Sequence, residues 1–204
     1  MTLQTIDVPD SIKQLPLSQP ALRLIDEANE RIEAFMLSDQ RVIENFVTCD
    51  FHLVDQALHW IQENHLLAGN RFCEWGSGFG VAAMLAAVRE MESAGIEIEP
   101  PLVEQSCRLA DRLHIDAGFY CGSFVPRDLA DVWDLGAGIE HVETDEGDVY
   151  EEIGWGPEDF DLFFAFPWPG EHTFFEAVFE ASAADGSLLL TYRGREGMNL
   201  VRKI

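Results

Sequence analysis

The sequence has little positive charge and almost no lysine. Its 204 residues carry 13 Lys plus Arg against 37 Asp plus Glu, a formal net charge of −24. Lys13 and Lys203 are the only lysines. From Asp128 to Tyr192 there is no Lys or Arg at all, against 17 Asp plus Glu. Nucleic-acid binding rests on basic side chains that neutralise phosphates, so no nucleic-acid partner is expected. The acidic loops are read as a solubilising surface. No apolar run reaches the roughly 18 residues of a membrane span, so no membrane association is expected. The first twenty residues include acidic side chains and no apolar core of the signal-peptide type, and a cytoplasmic location is the expectation. Paired cysteines are also missing. Cys49, Cys73, Cys107 and Cys121 are scattered, with no Cys-x-x-Cys, and free thiols are expected, with Cys73 and Cys121 as small core residues on strands.

What is present is a core-forming composition, 47% apolar and 11% aromatic. One domain over residues 1–204 is expected, with 1–49 as an N-terminal arm and helix and 50–204 as the core. Residues 1–19 show no period and read as a loose lead-in. A helix is predicted over 20–36, with Leu22, Ile25, Ile32 and Phe35 or Met36 near helical spacing and Pro20 in the first turn. A second is predicted over 50–67, capped by Asp50 and carrying the stripe Val54, Ala57, Leu58 and Ile61. From residue 71 strands and helices alternate: strands at 71–75, 94–99, 117–124, 160–166, 187–192 and 198–204, with helices at 80–91, 100–113 and 170–184. Short elements are predicted around 129–133 and 139–143. This alternation predicts an α/β fold, a Rossmann-like doubly wound sheet in three layers, α-β-α, preceded by N-terminal helices. Ligands of such sheets sit at the carboxyl ends of the strands.

The first of those ends carries "CEWGSGFG". A Walker loop needs a lysine after its second glycine, and none lies between Lys13 and Lys203. A dinucleotide fingerprint needs glycine at its sixth position, where Val81 stands. What remains is Glu74 followed by Gly76, Gly78 and Gly80, then Glu97 about twenty residues on, the separation of ribose-binding acids in nucleotide folds. Glycine lets the backbone approach a ligand where a side chain would clash. Read as structure alone, the glycines make a tight strand-to-helix turn.

These segments resemble the class I S-adenosylmethionine-dependent methyltransferases. "EWGSGFG" resembles their first motif and "AGIEIEPPLVEQSCRLA" their second, and the order and spacing agree over roughly residues 50–192. The resemblance implies S-adenosylmethionine as cofactor. It implies Glu74, directly or through water, for the ligand's ammonium and the turn around Gly76, Gly78 and Gly80 for its amino-acid end. It implies Glu97, rather than Glu99, for the ribose hydroxyls. Where the family often has an acid for the adenine amine, this chain has Ser123, and Phe124 is left to pack on the base. The implied activity is methyl transfer to a small-molecule or protein acceptor. The alternative is a module that holds S-adenosylmethionine or S-adenosylhomocysteine without turnover.

No general base is dictated by the chemistry, since displacement at a sulfonium asks mainly for alignment. Some amino-methyltransferases have Asp/Asn-Pro-Pro-Tyr/Trp after the fourth strand of the pattern. Here Ala165, Phe166, Pro167 and Trp168 occupy those places, and the polar residue is missing. Trp168 is a candidate acceptor contact or a packing residue between turn prolines. Glu171 and His172 are candidates for base and orienter, or an acidic first turn favoured by the helix dipole. Tyr192 and Arg193 end a strand on the ligand side and are candidates for the pocket's border. His52 and His59 lie two helical turns apart, too far for one metal ion. Asp55 with His59, and His141 with Glu143 and Asp145, are read as hydrogen-bonded or solvated groups, and no metal is expected. After residue 192 the chain lacks the further helix and hairpin of the family. The sheet is therefore expected to be one strand short, or completed by an element in 125–159.

Overall fold

The computed structural model describes residues 2–37, 47–127, 129 and 149–204. Its seven strands are β1 (Leu3–Ile6), β2 (Arg71–Trp75), β3 (Glu92–Glu97), β4 (Ala117–Cys121), β5 (Leu162–Ala165), β6 (Leu188–Tyr192) and β7 (Met198–Lys203). They form one sheet in the order β1-β7-β6-β5-β2-β3-β4. The five strands from β6 to β4 are parallel. β7 runs antiparallel to β6, and β1 antiparallel to β7. The order reverses between β2 and β5, so the crevice expected of a doubly wound sheet opens there.

Helices α1 (Gln19–Leu37), α2 (Phe51–Glu63), α3 (Val81–Val88) and α4 (Pro100–Leu113) share a core with one face of the sheet. Helices α5 (Val149–Ile153) and α6 (His172–Ser182) share a core with the other. The strands supply both cores by alternation: Phe72, Leu162 and Phe164 belong to the first, and Cys73, Trp75, Phe163 and Ala165 to the second. β5 is buried along its whole length for that reason. The elements predicted at 129–133 and 139–143 fall outside the described residues, apart from Leu129, and so do His141, Glu143 and Asp145.

The N-terminal lead-in is not loose. Leu3–Ile6 is an edge strand, with Leu3 opposite Lys203 and Ile6 opposite Leu200. This strand occupies the edge beyond β7, and most of 125–159 lies outside the described residues. Helix α1 buries Ala21, Leu24, Ile25, Ala28 and Ile32. Leu22 is only half-buried and Met36 is 62% exposed. Ile25 and Ile32 of the expected stripe are buried and Phe35 packs against the core, while Ala21, Leu24 and Ala28 complete the buried face. In α2 the expectation holds: Asp50 accepts from the Leu53 N–H at 3.1 Å, and Val54, Ala57, Leu58 and Ile61 are fully buried. Asp55 does not bond to His59. It is fully buried and takes the Arg89 guanidinium through both oxygens, each at 2.8 Å. Cys73 is in the core, but Cys121 is exposed at the end of β4.

Candidate functional site

A cleft of about 710 Å³ opens at the carboxyl ends of β2, β3, β5 and β6. Its volume is in the range of small-molecule sites. One half is built from the glycine turn. Gly76, Gly78 and Gly80 all have positive φ, at 68°, 54° and 68°. The turn is pinned from several directions. The Ser77 N–H donates to the Ile96 carbonyl at 2.9 Å, and the Gly80 N–H to Ser77 O at 2.6 Å. The Gly78 N–H donates to Glu97 Oε2 at 2.7 Å, while Gly78 O accepts from Ser106 Oγ at 2.8 Å. A strand-end carboxylate thus grips the turn that follows the neighbouring strand.

The glycines have different reasons to be glycine. A Cβ on Gly76 would meet nothing within 4 Å, so this position faces open space. A Cβ on Gly80 would lie 2.1 Å from the Phe119 ring. Gly80 is therefore required by packing as well as by its left-handed backbone.

Glu74 and Glu97 are 5% and 8% exposed. Glu74 Oε2 accepts from the Ala83 N–H at 2.8 Å, at the start of α3. Burial pushes its carboxyl up to about 8; the helix N–H groups of Ala83 and Ala82 oppose this, and the charge of Glu97 adds to it. Glu97 is also raised by burial, against the N–H groups of Glu99, Gly78 and Ile98. Its Oε1 accepts from the Glu99 N–H at 3.1 Å. Both acids line the cleft, as does Glu99. The α3 and turn N–H groups expected to face a ligand carboxylate are partly engaged already, by Glu74 and Glu97.

Phe124 reaches the cleft and packs on Trp75 and Phe175, each with ring centroids 5.0 Å away. Ser123 does not line it. Its hydroxyl accepts from the Val125 N–H at 3.2 Å and serves the turn. Tyr150 locks this corner, accepting from Trp75 Nε1 and donating to Phe124 O at 2.8 Å.

The other half lies at the ends of β5 and β6. Phe166, Pro167, Trp168 and Pro169 form its rim, followed by Glu171 and His172. Trp168 is 39% exposed. Glu171 folds back so that its Oε2 accepts from the Trp168 N–H at 3.1 Å, while its own N–H donates to Trp168 O. His172 Nδ1 is buried and has no partner among the described residues. Burial, then the Arg193 guanidinium, lowers the imidazole below its ordinary range. Arg193 lines the cleft, and its Nη2 donates to Glu176 Oε1 at 2.9 Å. Tyr192 lies behind the lining, 5.0 Å from the Phe166 ring. Its hydroxyl is raised by burial and then by Asp50 and Cys49.

Sequence reasoning missed one wall. Ile32 of α1, Val47, Thr48, Cys49 and Phe51 close the cleft from the N-terminal side, and Glu196 joins from the turn before β7. The only signal was Asp50, whose cap fixes where α2 begins and so where Phe51 points. Among the described residues, no group of three or more His, Cys, Asp and Glu is placed to hold a metal ion. Nor is any helix among them long and apolar enough to cross a membrane.

No protein-family model matches the sequence, and no curated protein matches it significantly. Solved structures do resemble it. A methyltransferase from Geobacter sulfurreducens superposes with a TM-score of 0.54 at 14% identity, over 93% of this chain and 93% of that one. An RNA methyltransferase from Salinibacter ruber, in complex with S-adenosyl-L-homocysteine, gives 0.50 at 16% identity over 76% and 92%. Against an S-adenosylmethionine-dependent methyltransferase from Clostridium acetobutylicum the chain spans 56% of the other protein, with 80% of its own length, a TM-score of 0.47 and 9% identity. The sheet, its helical layers and its strand-end cleft give this chain the fold of the class I S-adenosylmethionine-dependent methyltransferases.

Proposed function

We propose that the chain binds S-adenosylmethionine over the ends of β2 and β3 and transfers its methyl group to a small-molecule or protein acceptor at the ends of β5 and β6. The observation that carries this reading is the 2.7 Å bond from the Gly78 N–H to Glu97, beside the open space before Gly76. A carboxylate with lone pairs to spare and an uncrowded glycine turn stand together at the floor of one cleft. They fit the ribose hydroxyls and the amino-acid end of this cofactor. Glu97 would hold the ribose, the backbone at Gly76 the amino-acid end, Glu74, on giving up its proton, the ammonium, and Phe124 an edge of the adenine. When bound, the cofactor supplies an electrophilic methyl group on a sulfonium. The chain's part is alignment and exclusion of water.

The rim at Pro167–Pro169 leaves the cleft open, with Trp168 turned partly to solvent, and this supports turnover over mere retention. The reading without turnover draws support from Ala165, which stands where a polar acceptor contact would be. The net charge of −24 supports an acceptor other than nucleic acid.

Calorimetry with S-adenosylmethionine and S-adenosylhomocysteine tests the reading. Both are expected to bind, and Glu97→Ala is expected to weaken them by about tenfold or more, the worth of hydrogen bonds to a charged group. Absence of binding, or equal binding by the variant, would sink it.

A further inference from the structure

The two ends of the cleft differ in charge and in surface. At the ends of β5 and β6, Glu171 and Glu196 supply two carboxylates. Arg193 is the one Lys or Arg among the described lining residues, and it is already paired. Its Nη2 lies 2.9 Å from Glu176 Oε1, with both side chains about a quarter exposed. Glu176 is outside the lining and offsets the guanidinium, so among the described residues the two lining carboxylates stand without a cation of their own. Among the described residues Glu171 accepts a backbone N–H, which cancels none of its charge.

His172 adds no cation. Its Nδ1 is buried with no partner among the described residues, and an imidazolium would have to leave an N–H unsatisfied there. Burial and then Arg193 act to keep the ring neutral, against Glu176, Glu196 and Glu171, and the balance lies below the ordinary range. Apolar surface completes the setting: the Phe166 and Trp168 rings line the same end, and aromatic faces attract cations. At longer range, a chain of net charge −24 draws cations toward such a cleft and repels anions.

We propose that the acceptor is an amine that is protonated in solution, held between Glu171, Glu196 and the rings of Phe166 and Trp168. The proposal rests on the methyl-transfer reading above and names its substrate class. The ammonium loses one proton to water at the open mouth of the cleft. The freed lone pair forms the new N–C bond while the methyl C–S bond breaks, and that bonding pair stays on sulfur. The positive charge passes from sulfur to the methylated nitrogen, so atoms and charge balance. In this site carboxylates take the orienting role that a polar residue at position 165 would otherwise serve. The same chemistry has two sources, a free small amine or a lysine side chain of a protein.

The test uses the full chain saturated with S-adenosylhomocysteine and three probes of one shape: 2-phenylethylamine, 2-phenylethanol and 3-phenylpropionate. An oligolysine peptide represents the protein source. The amine or the peptide is expected to bind at least about tenfold more tightly than the alcohol and the carboxylate. In the double variant Glu171→Gln, Glu196→Gln that margin is expected to vanish. With S-adenosylmethionine in place of the product, mass spectrometry shows which source gains a methyl group. A carboxylate or alcohol that binds as well as the amine overturns the proposal. So does a margin that survives in the double variant, or a chain that binds S-adenosylhomocysteine but neither amine probe. Failure to bind S-adenosylhomocysteine is a different result, and removes the methyl-transfer reading beneath it.

Discussion

The two halves of the cleft are made differently. Over β2 and β3 the contacts are backbone groups tied to buried carboxylates: Gly78 to Glu97, Ala83 to Glu74, Ser77 to Ile96. Over β5 and β6 they are side chains on a loop and a short turn, with Trp168 and Glu196 reaching solvent. The first half is rigid because its parts hold one another through these bonds. The second half holds its shape through Glu171 folding onto Trp168 and Arg193 onto Glu176. A fixed half suits an invariant ligand, and an adaptable half suits recognition that differs from one protein to the next.

The largest expected effect tests the rigid half through protons. Glu74 has its carboxyl raised from 4.5 to about 8, so the folded chain holds this proton more tightly than the unfolded one. The associated stability is present below about 4.5 and is lost as pH rises through about 8. Glu74→Gln, which titrates nowhere, is expected to remove that slope. The gap between variant and parent, read from urea unfolding at several pH values, should grow by about 4 to 5 kcal/mol across this window. Parallel pH profiles for the two proteins would break the picture of a buried, protonated Glu74.

Two glycines sharpen the comparison inside the rigid half. Gly80→Ala brings a Cβ onto the Phe119 ring at a left-handed backbone position. The expected loss is about 3 kcal/mol by chemical denaturation. Gly76→Ala has the same φ but empty space in front. Its stability cost is expected to be only about 1 kcal/mol. Its calorimetric affinity for S-adenosylmethionine should fall at least about tenfold, since the methyl group enters the ligand's space. If both variants lose equal stability, or Gly76→Ala binds normally, the open space before Gly76 is not where the ligand lies.

The smallest effect belongs to the adaptable half. Trp168→Ala is expected to change stability by no more than about 0.5 kcal/mol, as for an exposed side chain away from the core. Affinity for 2-phenylethylamine should drop a few-fold, in line with about 0.5–1 kcal/mol for an exposed cation–π contact. A large loss of thermal stability instead would make Trp168 a packing residue.

The sequence disclosed the rigid half and concealed much of the other for a physical reason. Positive φ at Gly76, Gly78 and Gly80 nearly demands glycine, and an acid ending β3 stands one crossover away, so both leave marks at fixed spacing. The alternation from residue 71 onward likewise follows from strands buried on both faces. Phe51, Cys49 and Ile32 reach the cleft only because α1 and α2 pack over it, and no local pattern states that. The place of Ser123 after β4 marks it as a site residue, but its hydroxyl accepts from the Val125 N–H and the residue does not line the cleft. β1 was unreadable because four residues of an edge strand, half in solvent, show no period, and their partner is two hundred positions away.

That last pairing has a consequence for the order of events as the chain is made. β1 emerges before every other strand, yet it has no partner until β7 exists. The parallel strands β2 to β6 can be laid side by side during synthesis. β1 must stay unpaired until the strand beside β6 is in place, so the sheet closes in time as well as in space, by joining the earliest of its described strands to the latest.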